Sequence, residues 1–174
     1  MIDACDSLKC SVCANRMRPK SARPAAISDP KRPGEVISID SWWINHPNGM
    51  RAVGLSYFDE ASCMHRLDVV RITLDGRTPG NVSGEDAWKS FHHTWLDPYH
   101  RPRVARVDEE GALSKSDFFL GKLGNLSIRP EPIAGEAPWQ MGKHSRHLKV
   151  ALNTVYDLLT EFEDMTFEEA CTRA

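Results

Sequence analysis

Long apolar runs are absent from this sequence of 174 residues. A helix that crosses a bilayer needs about 20 consecutive apolar residues, and no run here approaches that length. Residues 1–6 also lack the basic stretch followed by an apolar one that opens a secretory signal. We therefore expect no membrane partner and an intracellular protein, nuclear or cytoplasmic, that is not secreted.

A disulfide framework is also missing. The five cysteines are an odd number and lie scattered along the chain, whereas stapled domains carry an even, dense set. Cys10 and Cys13 have the spacing of half a zinc site, which needs two further ligands to close a tetrahedron. Cys5 offers a third ligand, but the nearest histidine is His46. We therefore do not expect Zn²⁺ binding by this chain alone.

Charge of one sign is not in excess either. The net charge of −2 excludes a strongly basic protein, although a few well-placed Lys and Arg side chains suffice for phosphate contacts. The sequence has no glycine-rich phosphate loop and no Gly-x-Ser-x-Gly turn of a serine hydrolase. We expect no small-molecule substrate.

The first part of the chain differs in composition from the rest. Residues 14–34 are rich in Lys, Arg, Pro, Ser and Ala, and their four prolines prevent a continuous helix. We interpret them as a basic extended linker, which either contacts nucleic-acid phosphates or is a solvated tether. The linker separates residues 1–13 from a main domain at 35–163, and a helical tail follows at 164–174.

The main domain shows strand patterns first and then alternating helices and strands. Runs of branched and aromatic residues at 36–44, 51–58 and 64–72 predict three antiparallel strands joined by short turns. Apolar spacing predicts helices at 84–97, 114–123, 140–162 and 167–172, with short strands at 103–107 and 126–129. The buried stripe of the long helix is predicted to be Leu148, Leu152, Val155, Leu159 and Phe162. The order predicts an α/β domain with a mixed sheet flanked by helices.

Two aspartates stand where predicted strands end. Asp40 follows Val-Ile-Ser-Ile, and Asp108 follows Val-Ala-Arg-Val. Carboxylates so placed can hold a hard cation such as Mg²⁺, with water and substrate phosphate completing its shell. Aspartate also commonly opens a turn after a strand, so each position alone has a plain structural explanation. The two can meet if their strands are neighbours.

The chain resembles the catalytic cores of retroelement integrases, of the long-terminal-repeat retrotransposon and retroviral kind. The resemblance covers about residues 10–150, and its motifs follow the family order. They are Cys10-x-x-Cys13 and the linker, Pro-Gly-Glu-Val-Ile-Ser-Ile-Asp at 33–40, Tyr-Phe-Asp-Glu-Ala-Ser at 57–62, the tryptophan helix at 88–95, Val-Asp-Glu-Glu-Gly at 107–111, and Ala-Pro-Trp-Gln-Met-Gly at 137–142 followed by Arg146.

The resemblance implies a ribonuclease-H-like fold with a mixed five-stranded sheet. It also implies a site of two aspartates and one glutamate that binds Mg²⁺ or Mn²⁺ for 3′-end processing and strand transfer of DNA. Asp40 and Asp108 match the two aspartates. In the family the glutamate usually precedes an arginine and leaves about 35 residues between itself and the second aspartate. Here Ser145 occupies that slot, with 36 residues between it and Asp108. Because serine is neutral and shorter than glutamate, we expect the affinity and geometry of metal binding at Asp40 and Asp108 to suffer and integration activity to be lost.

Replacement ligands remain open from the sequence. Glu136 lies in the loop before the long helix, Glu109 and Glu110 follow Asp108 directly, and His144 precedes Ser145. Imidazole suits Zn²⁺ better than Mg²⁺. A replacement carboxylate would make the chain an active nuclease.

The resemblance also suggests partners. In integrases the surface of the long helix that here carries Lys143, Arg146 and Lys149 faces DNA; alternatively these are solvated charges on an amphipathic helix. Cys10 and Cys13 are then interpreted as a remnant of the family's zinc finger. Trp139 is the only tryptophan that we consider for a surface position, and packing is favoured even there. We hypothesise a degenerate integrase core from a retrotransposon polyprotein that binds DNA or RNA; the alternative is an interaction module that retains the fold and forms homodimers.

Overall fold

The computed structural model describes residues 32–46, 49–74, 77–108, 113–133 and 142–174. Within these ranges the predicted sequence of strands and helices is confirmed. The strands are β1 (Val36–Asn45), β2 (Arg51–Asp59), β3 (His65–Thr73), β4 (Val104–Asp108) and β5 (Arg129–Ile133). The helices are α1 (Gly84–Phe91), which continues through a π-helical turn (His92–Leu96) into α2 (Asp97–Tyr99), then α3 (Asp117–Asn125), α4 (Gly142–Glu161) and α5 (Phe167–Arg173).

The strands form one mixed five-stranded sheet, as predicted, in the order β3-β2-β1-β4-β5. Short connections make β1, β2 and β3 an antiparallel meander, and helical crossovers add β4 and β5 parallel to β1. The register between β1 and β4 runs from Val36 opposite Val104 to Ile39 opposite Val107. Beyond Ile39, β1 stays paired with β2 as far as Asn45.

Each face of the sheet packs against its own set of helices. On one face Ile37 and Ile39 join a core with residues of α1, the π-helical turn and α3, including the fully buried Trp95. On the other face Trp42 and Ile44 pack against residues of α4 and α5. The predicted C-terminal tail contributes to this second core, because three side chains of α5 are buried there: Phe167, Ala170 and Cys171.

Trp42 and Trp43 lie on opposite faces of β1, because successive strand residues alternate. Trp42 is 2% exposed, and Trp43 is 71% exposed. Trp42 lies opposite Gly54 on β2, where an added Cβ would approach the indole Cζ2 to 2.4 Å and the backbone oxygen of Asp68 to 1.9 Å. Only glycine fits at that point. The expectation that no tryptophan other than Trp139 lies at a surface is wrong for Trp43, and Trp139 itself lies outside the described residues.

Some predicted boundaries and inward faces are wrong. The sequence pattern predicts the last strand at 126–129, but it runs from Arg129 to Ile133, because Leu126 and Ser127 form a turn after α3 in which Ser127 has a φ of 54°. Two prolines are tolerated in β5 because it is an edge strand. Phe162 is predicted to belong to the buried stripe of the long helix, but it is 45% exposed and follows the last residue of α4. No helix in the described ranges is long and apolar enough to span a membrane.

Candidate metal and nucleic-acid site

Asp40 and Asp108 lie next to each other where β4 ends and its pairing with β1 stops. Asp40 lies within β1 and not, as the sequence pattern predicted, at the end of a strand. Ile39 and Val107 are register partners on parallel strands, so the residues that follow them lie side by side. Both aspartates line a single cleft of about 710 Å³. Asp40 is partly buried, and Asp108 is exposed. The structure thus brings together two carboxylates that are 68 positions apart in the sequence.

The environment of Asp40 disfavours its negative charge. Burial raises the pKa of Asp40 to about 6, against a partial lowering by a hydrogen bond with the Ser41 backbone, and the charge of Asp108 raises it further. A bound cation would relieve both effects, since it neutralises Asp40 and screens Asp108. Two adjacent carboxylates, one of them open to solvent, suit a hard divalent cation that keeps water ligands. The pair fits one Mg²⁺ or Mn²⁺ ion.

The first turn of α4 places His144 and Ser145 in different surroundings. Ser145 is exposed at the start of α4, whereas the preceding residue, His144, is 0% exposed. The Nε2 atom of His144 lies 2.6 Å from the Oγ atom of Ser56. Ser56 is the register partner of Asp40 across β1 and β2. The side chain that α4 directs toward the strand beside Asp40 is therefore His144.

His144 belongs to a closed cluster of neutral rings. The Oγ atom of Ser56 also lies 2.7 Å from Nε2 of His65, and the ring of Phe58 stacks on His144 with centroids 5.4 Å apart and an interplanar angle of 8°. Burial lowers the pKa of His144 to about 3 and that of His65 to about 4, and the charge of neighbouring histidines, including His147, lowers them further. Both imidazoles are therefore uncharged at neutral pH.

Two signals in the sequence point to His144. It lies four residues before Leu148, so the predicted apolar stripe of the long helix, extended back by one turn, reaches it. It also leaves 35 residues between itself and Asp108, whereas Ser145 leaves 36. The arginine at position 146 instead favours Ser145 as the third position. Neither residue supplies a carboxylate.

A second polar group on the sheet is not predicted from the sequence. Arg106 is 3% exposed, and its Nε atom donates to Glu131 Oε2 at 2.6 Å while Nη1 lies 3.9 Å from Glu60 Oε1. Ser38 donates a further hydrogen bond to Glu60, and Lys143 Nζ donates to the Glu60 backbone oxygen at 3.0 Å. A charged residue inside the apolar run of β4 was the available signal. Glu60 is thus committed to Arg106 and Ser38.

The three predicted basic residues have different surroundings. Lys143 is held by the Glu60 carbonyl, whereas Arg146 and Lys149 are exposed on α4. Within the described ranges neither Arg146 nor Lys149 forms an ion pair with a carboxylate. These two side chains are available for phosphate contacts close to His144.

Several predicted ligands lie outside the described residues. They are Cys10 and Cys13 of the expected zinc remnant and Glu109, Glu110 and Glu136, the candidate replacement carboxylates. Across the part of the chain that the structure does describe, no three His, Cys, Asp or Glu side chains are arranged to hold a metal ion. The described site therefore consists of the pair Asp40 and Asp108 without a third acidic or imidazole ligand.

The fold is similar to that of retroviral integrase cores. The catalytic core domain of HTLV-2 integrase in complex with magnesium, in its trimeric form, matches with a TM-score of 0.63 and 11% identity over 81% of this chain and 82% of that chain. Integrase in the simian T-cell lymphotropic virus intasome, in complex with PP2A regulatory subunit B56 gamma, matches with a TM-score of 0.69 and 18% identity over 94% of this chain and 55% of that chain. The BIV integrase core matches with a TM-score of 0.59, 11% identity and coverages of 80% and 79%.

Similarity in sequence alone is much weaker. No family model matches the chain, and no curated protein matches it. The shared feature is therefore the fold. The chain has the ribonuclease-H-like fold of an integrase catalytic core, as its sequence motifs predicted.

Proposed function

We propose that this chain is an integrase-core-like domain, derived from a retrotransposon polyprotein, that binds nucleic acid through one divalent cation and no longer integrates DNA. One observation carries the proposal. Asp40 and Asp108 share a cleft, while α4 directs the neutral, buried His144 toward the strand next to Asp40. The candidate site therefore has two acidic positions, Asp40 and Asp108, and one neutral position, His144.

The two acidic positions support binding of one cation. Mg²⁺ or Mn²⁺ held by Asp40 and Asp108 would draw in a phosphate oxygen of the nucleic acid. Such an ion, when bound, supplies Lewis-acid polarisation of that phosphate. The raised pKa of Asp40 means that cation binding and protonation compete for the same carboxylate.

The neutral position supports the loss of activity. Two divalent ions carry four positive charges, and the two aspartates offset only half of them. His144 adds no charge because its pKa lies near 3, and its Nε2 atom already contacts Ser56. Phosphoryl transfer with two ions about 4 Å apart requires ligands on both. We infer that the second ion has no adequate set of ligands.

The exposed part of α4 supports nucleic-acid binding. Arg146 and Lys149 follow His144 on the helix and reach solvent. The HTLV-2 core is a magnesium complex, and the simian viral protein is part of an intasome. We extend both properties to this chain as part of the proposal: a cation at the aspartates and a nucleic-acid strand along α4.

The decisive experiment compares the unmodified chain with His144→Glu and Ser145→Glu. Mg²⁺ and Mn²⁺ binding is measured by calorimetry, DNA binding by fluorescence anisotropy, and strand transfer with a labelled duplex and a supercoiled plasmid. The unmodified chain should bind one cation and DNA without strand transfer. The two variants add the same charge one residue apart, but only residue 144 is directed toward Ser56. We therefore expect only His144→Glu to bind a second cation or to bind the first roughly 10-fold more tightly.

Ser145→Glu is the matched control, because its side chain enters solvent rather than the position beside Ser56. Circular dichroism and thermal melts establish that His144→Glu is folded. Strand transfer by the unmodified chain would contradict the inferred loss of activity. Cation and DNA binding both absent from the unmodified chain would favour the interaction-module alternative instead. A gain in cation binding in Ser145→Glu alone would instead place the third ligand position of the site at residue 145.

A further inference from the structure

One side of β1 is open along the second half of the strand. β2 pairs with β1 as far as Asn45, but the pairing with β4 ends at Val107 opposite Ile39. Among the described residues, no strand pairs with Ser41–Asn45 on the β4 side. We call this side of residues 41–45 the free edge of β1. It is about 13 Å long and lies at the centre of the sheet.

The hydrogen bonds of β1 show which backbone groups point to the free edge. The N–H group of His46 donates to the Met50 carbonyl at 2.7 Å, so the backbone groups of even-numbered residues face β2. On the β4 side the acceptor is the carbonyl of Glu35, an odd-numbered residue. These directions alternate along a paired strand. The N–H and C=O groups of Trp43 and Asn45 therefore point away from β2 and toward the free edge.

The cleft of about 710 Å³ follows the free edge rather than one face of the sheet. Every residue of β1 from Ile39 to Asn45 lines it, although successive side chains of a strand point to opposite faces. Asp40 belongs to the face that packs against α4, and Trp43 belongs to the other face with its register partner Val53. A groove along a strand edge is lined by both sets. The loop at 78–82 also lines it.

An extended peptide is the occupant that matches such an edge. An added strand pairs with the main-chain groups of the free edge, and its alternate side chains fall on the two faces of the sheet. A second copy of the chain is disfavoured by shape, because its own free edge lies inside the same cleft and two recessed edges do not reach each other. A nucleic-acid backbone has no row of N–H and C=O groups at strand spacing.

The two faces beside the free edge differ in chemistry, and this difference defines the peptide. Asp40 and Asp108 place negative charge at one end of the edge, on the α4 face. Trp43 is 71% exposed and offers an apolar surface on the other face. The remaining charged side chain of the lining, Arg51, lies opposite Asn45 at the far end. Because Asp40 and Trp43 are three residues apart, the complementary strand has a basic and an apolar residue at the same separation.

We propose that the free edge of β1 binds an extended segment of a partner protein by strand addition. A basic side chain of the segment lies at the two carboxylates, and an apolar side chain three positions away lies on Trp43. The inference goes beyond the proposed function, because it rests on the backbone edge and needs neither a cation nor a nucleic acid. Binding covers the exposed indole and supplies hydrogen-bond partners to the open backbone groups of residues 43 and 45.

The first test measures peptide binding by fluorescence anisotropy in EDTA, so that no cation occupies the carboxylates. The probe is a short, labelled, threonine-rich peptide with a lysine and a valine three positions apart. Its matched control has the same composition with the two residues two positions apart, on one face of a strand. The probe should bind about 10-fold more tightly than the control. N-methylation of one alternate set of its amides should abolish binding, and N-methylation of the other set should not.

Variants of the chain separate the contribution of the backbone from that of the side chains. Asn45→Pro removes a donor from the free edge, and proline is tolerated where the N–H group of a strand residue is unpaired. It should weaken probe binding by roughly 3- to 10-fold, whereas the matched control Asn45→Ala, which keeps the N–H group, should change it by less than about twofold. Trp43→Ala should weaken it by about 10-fold. Circular dichroism and thermal melts establish that each variant is folded.

Amide hydrogen exchange, followed by NMR on the unmodified chain, is the second measurement. The probe should slow exchange of the Trp43 and Asn45 amides by at least about 10-fold. The amides of Trp42 and Ile44, which face β2, should change little.

Three results would overturn the inference and leave the proposed function standing. They are equal binding of the two peptide spacings, undiminished binding by both Trp43→Ala and Asn45→Pro, and slowed exchange only at other amides. Slow exchange of the same two amides in concentrated protein without peptide would overturn it in favour of a second copy of the chain. Slowing by an oligonucleotide and by none of the peptides would overturn it in favour of nucleic acid.

Discussion

The candidate site has two parts with opposite character on neighbouring strands. We call the pair Asp40 and Asp108 the open corner, and the cluster of Ser56, His65 and His144 the closed corner. Asp40 and Asp108 stand at an open cleft, where burial and the charge of Asp108 raise the pKa of Asp40. Ser56, His65 and His144 form a closed cluster in which one hydroxyl oxygen serves two imidazoles. The first corner is built to receive a ligand, and the second is already filled by the protein's own side chains.

If integration has been lost, as we propose, the contrast gives a physical reason why the fold is retained. A glutamate at the start of α4 would have to be held near two other carboxylates, which costs stability unless a cation is present. A neutral imidazole bonded to Ser56 removes that repulsion and ties α4 to β2. Under the proposed function, histidine in place of the glutamate exchanges a metal ligand for a packing contact and leaves the two aspartates as a smaller site.

The largest expected effect is on the open corner. Asp108→Asn and Asp40→Asn should each weaken Mg²⁺ binding by roughly 100-fold, because each removes one of the two charged ligands. Calorimetry measures the affinity, and the rise in melting temperature with Mg²⁺ checks it. Asp164→Asn, at an exposed position after α4, is the control. Undiminished binding in Asp108→Asn would separate the cation from the carboxylate pair.

The closed corner should respond in stability rather than in binding. Ser56→Ala removes the hydroxyl that both imidazoles contact and leaves buried ring nitrogens without that partner. The expected loss is about 2 kcal/mol in the free energy of unfolding, measured by urea denaturation. The exposed Ser145→Ala should stay within about 0.5 kcal/mol. A similar change in the free energy of unfolding in both variants would contradict the view that Ser56 is a buried hydrogen-bond partner and Ser145 a solvent-exposed residue.

The open corner was easier to predict from the sequence than the closed one. Asp40 and Asp108 each follow an apolar segment that is readable from composition, although Asp40 lies within β1 (Val36–Asn45) and not at its end as predicted. The orientation of Trp42 and Trp43 could not be predicted. Val36 to Ile39 are all buried, so they show no alternation of buried and exposed residues that could be extended along β1. His144 was readable from its spacing to Leu148, yet its contact with Ser56 depends on the sheet register. The pairing of Arg106 with Glu60 was not predictable for the same reason, because it also depends on which residues the sheet brings together.

A smaller effect concerns pH. His144 and His65 have pKa values near 3 and 4 in the fold, below the ordinary 6.5, so the unfolded chain binds more protons between pH 6.5 and 4. Stability should therefore fall as the pH falls through that window. Asp40 opposes this trend, because its raised pKa of about 6 lets the folded chain bind a proton below pH 6. Because two histidines act against one aspartate, the net effect is a loss of stability in acid.

His144→Gln isolates the contribution of the closed corner to this pH dependence. It should be less stable than the unmodified chain at pH 7, since it loses the contact with Ser56 and the stacking on Phe58. Its stability should nevertheless fall less steeply with acid, because one buried group that resists protonation is gone. His100→Asn, at an exposed residue, should keep the original slope. Urea midpoints measured from pH 7 to pH 4.5 provide the check.

The smallest effect belongs to the basic surface of α4, and it tests whether the two corners serve one nucleic-acid ligand. Arg146→Gln and Lys149→Gln together should weaken DNA binding only a few-fold at physiological salt, because each exposed side chain contributes a single phosphate interaction. With duplex DNA, the slope of log affinity against log salt should become shallower by about 0.9 for each phosphate interaction removed. Lys115→Gln, a change of the same charge type before α3, should leave the slope unchanged. If the slope stays constant in the double variant while Asp108→Asn still reduces binding, the nucleic acid meets the chain at the cleft without lying along α4.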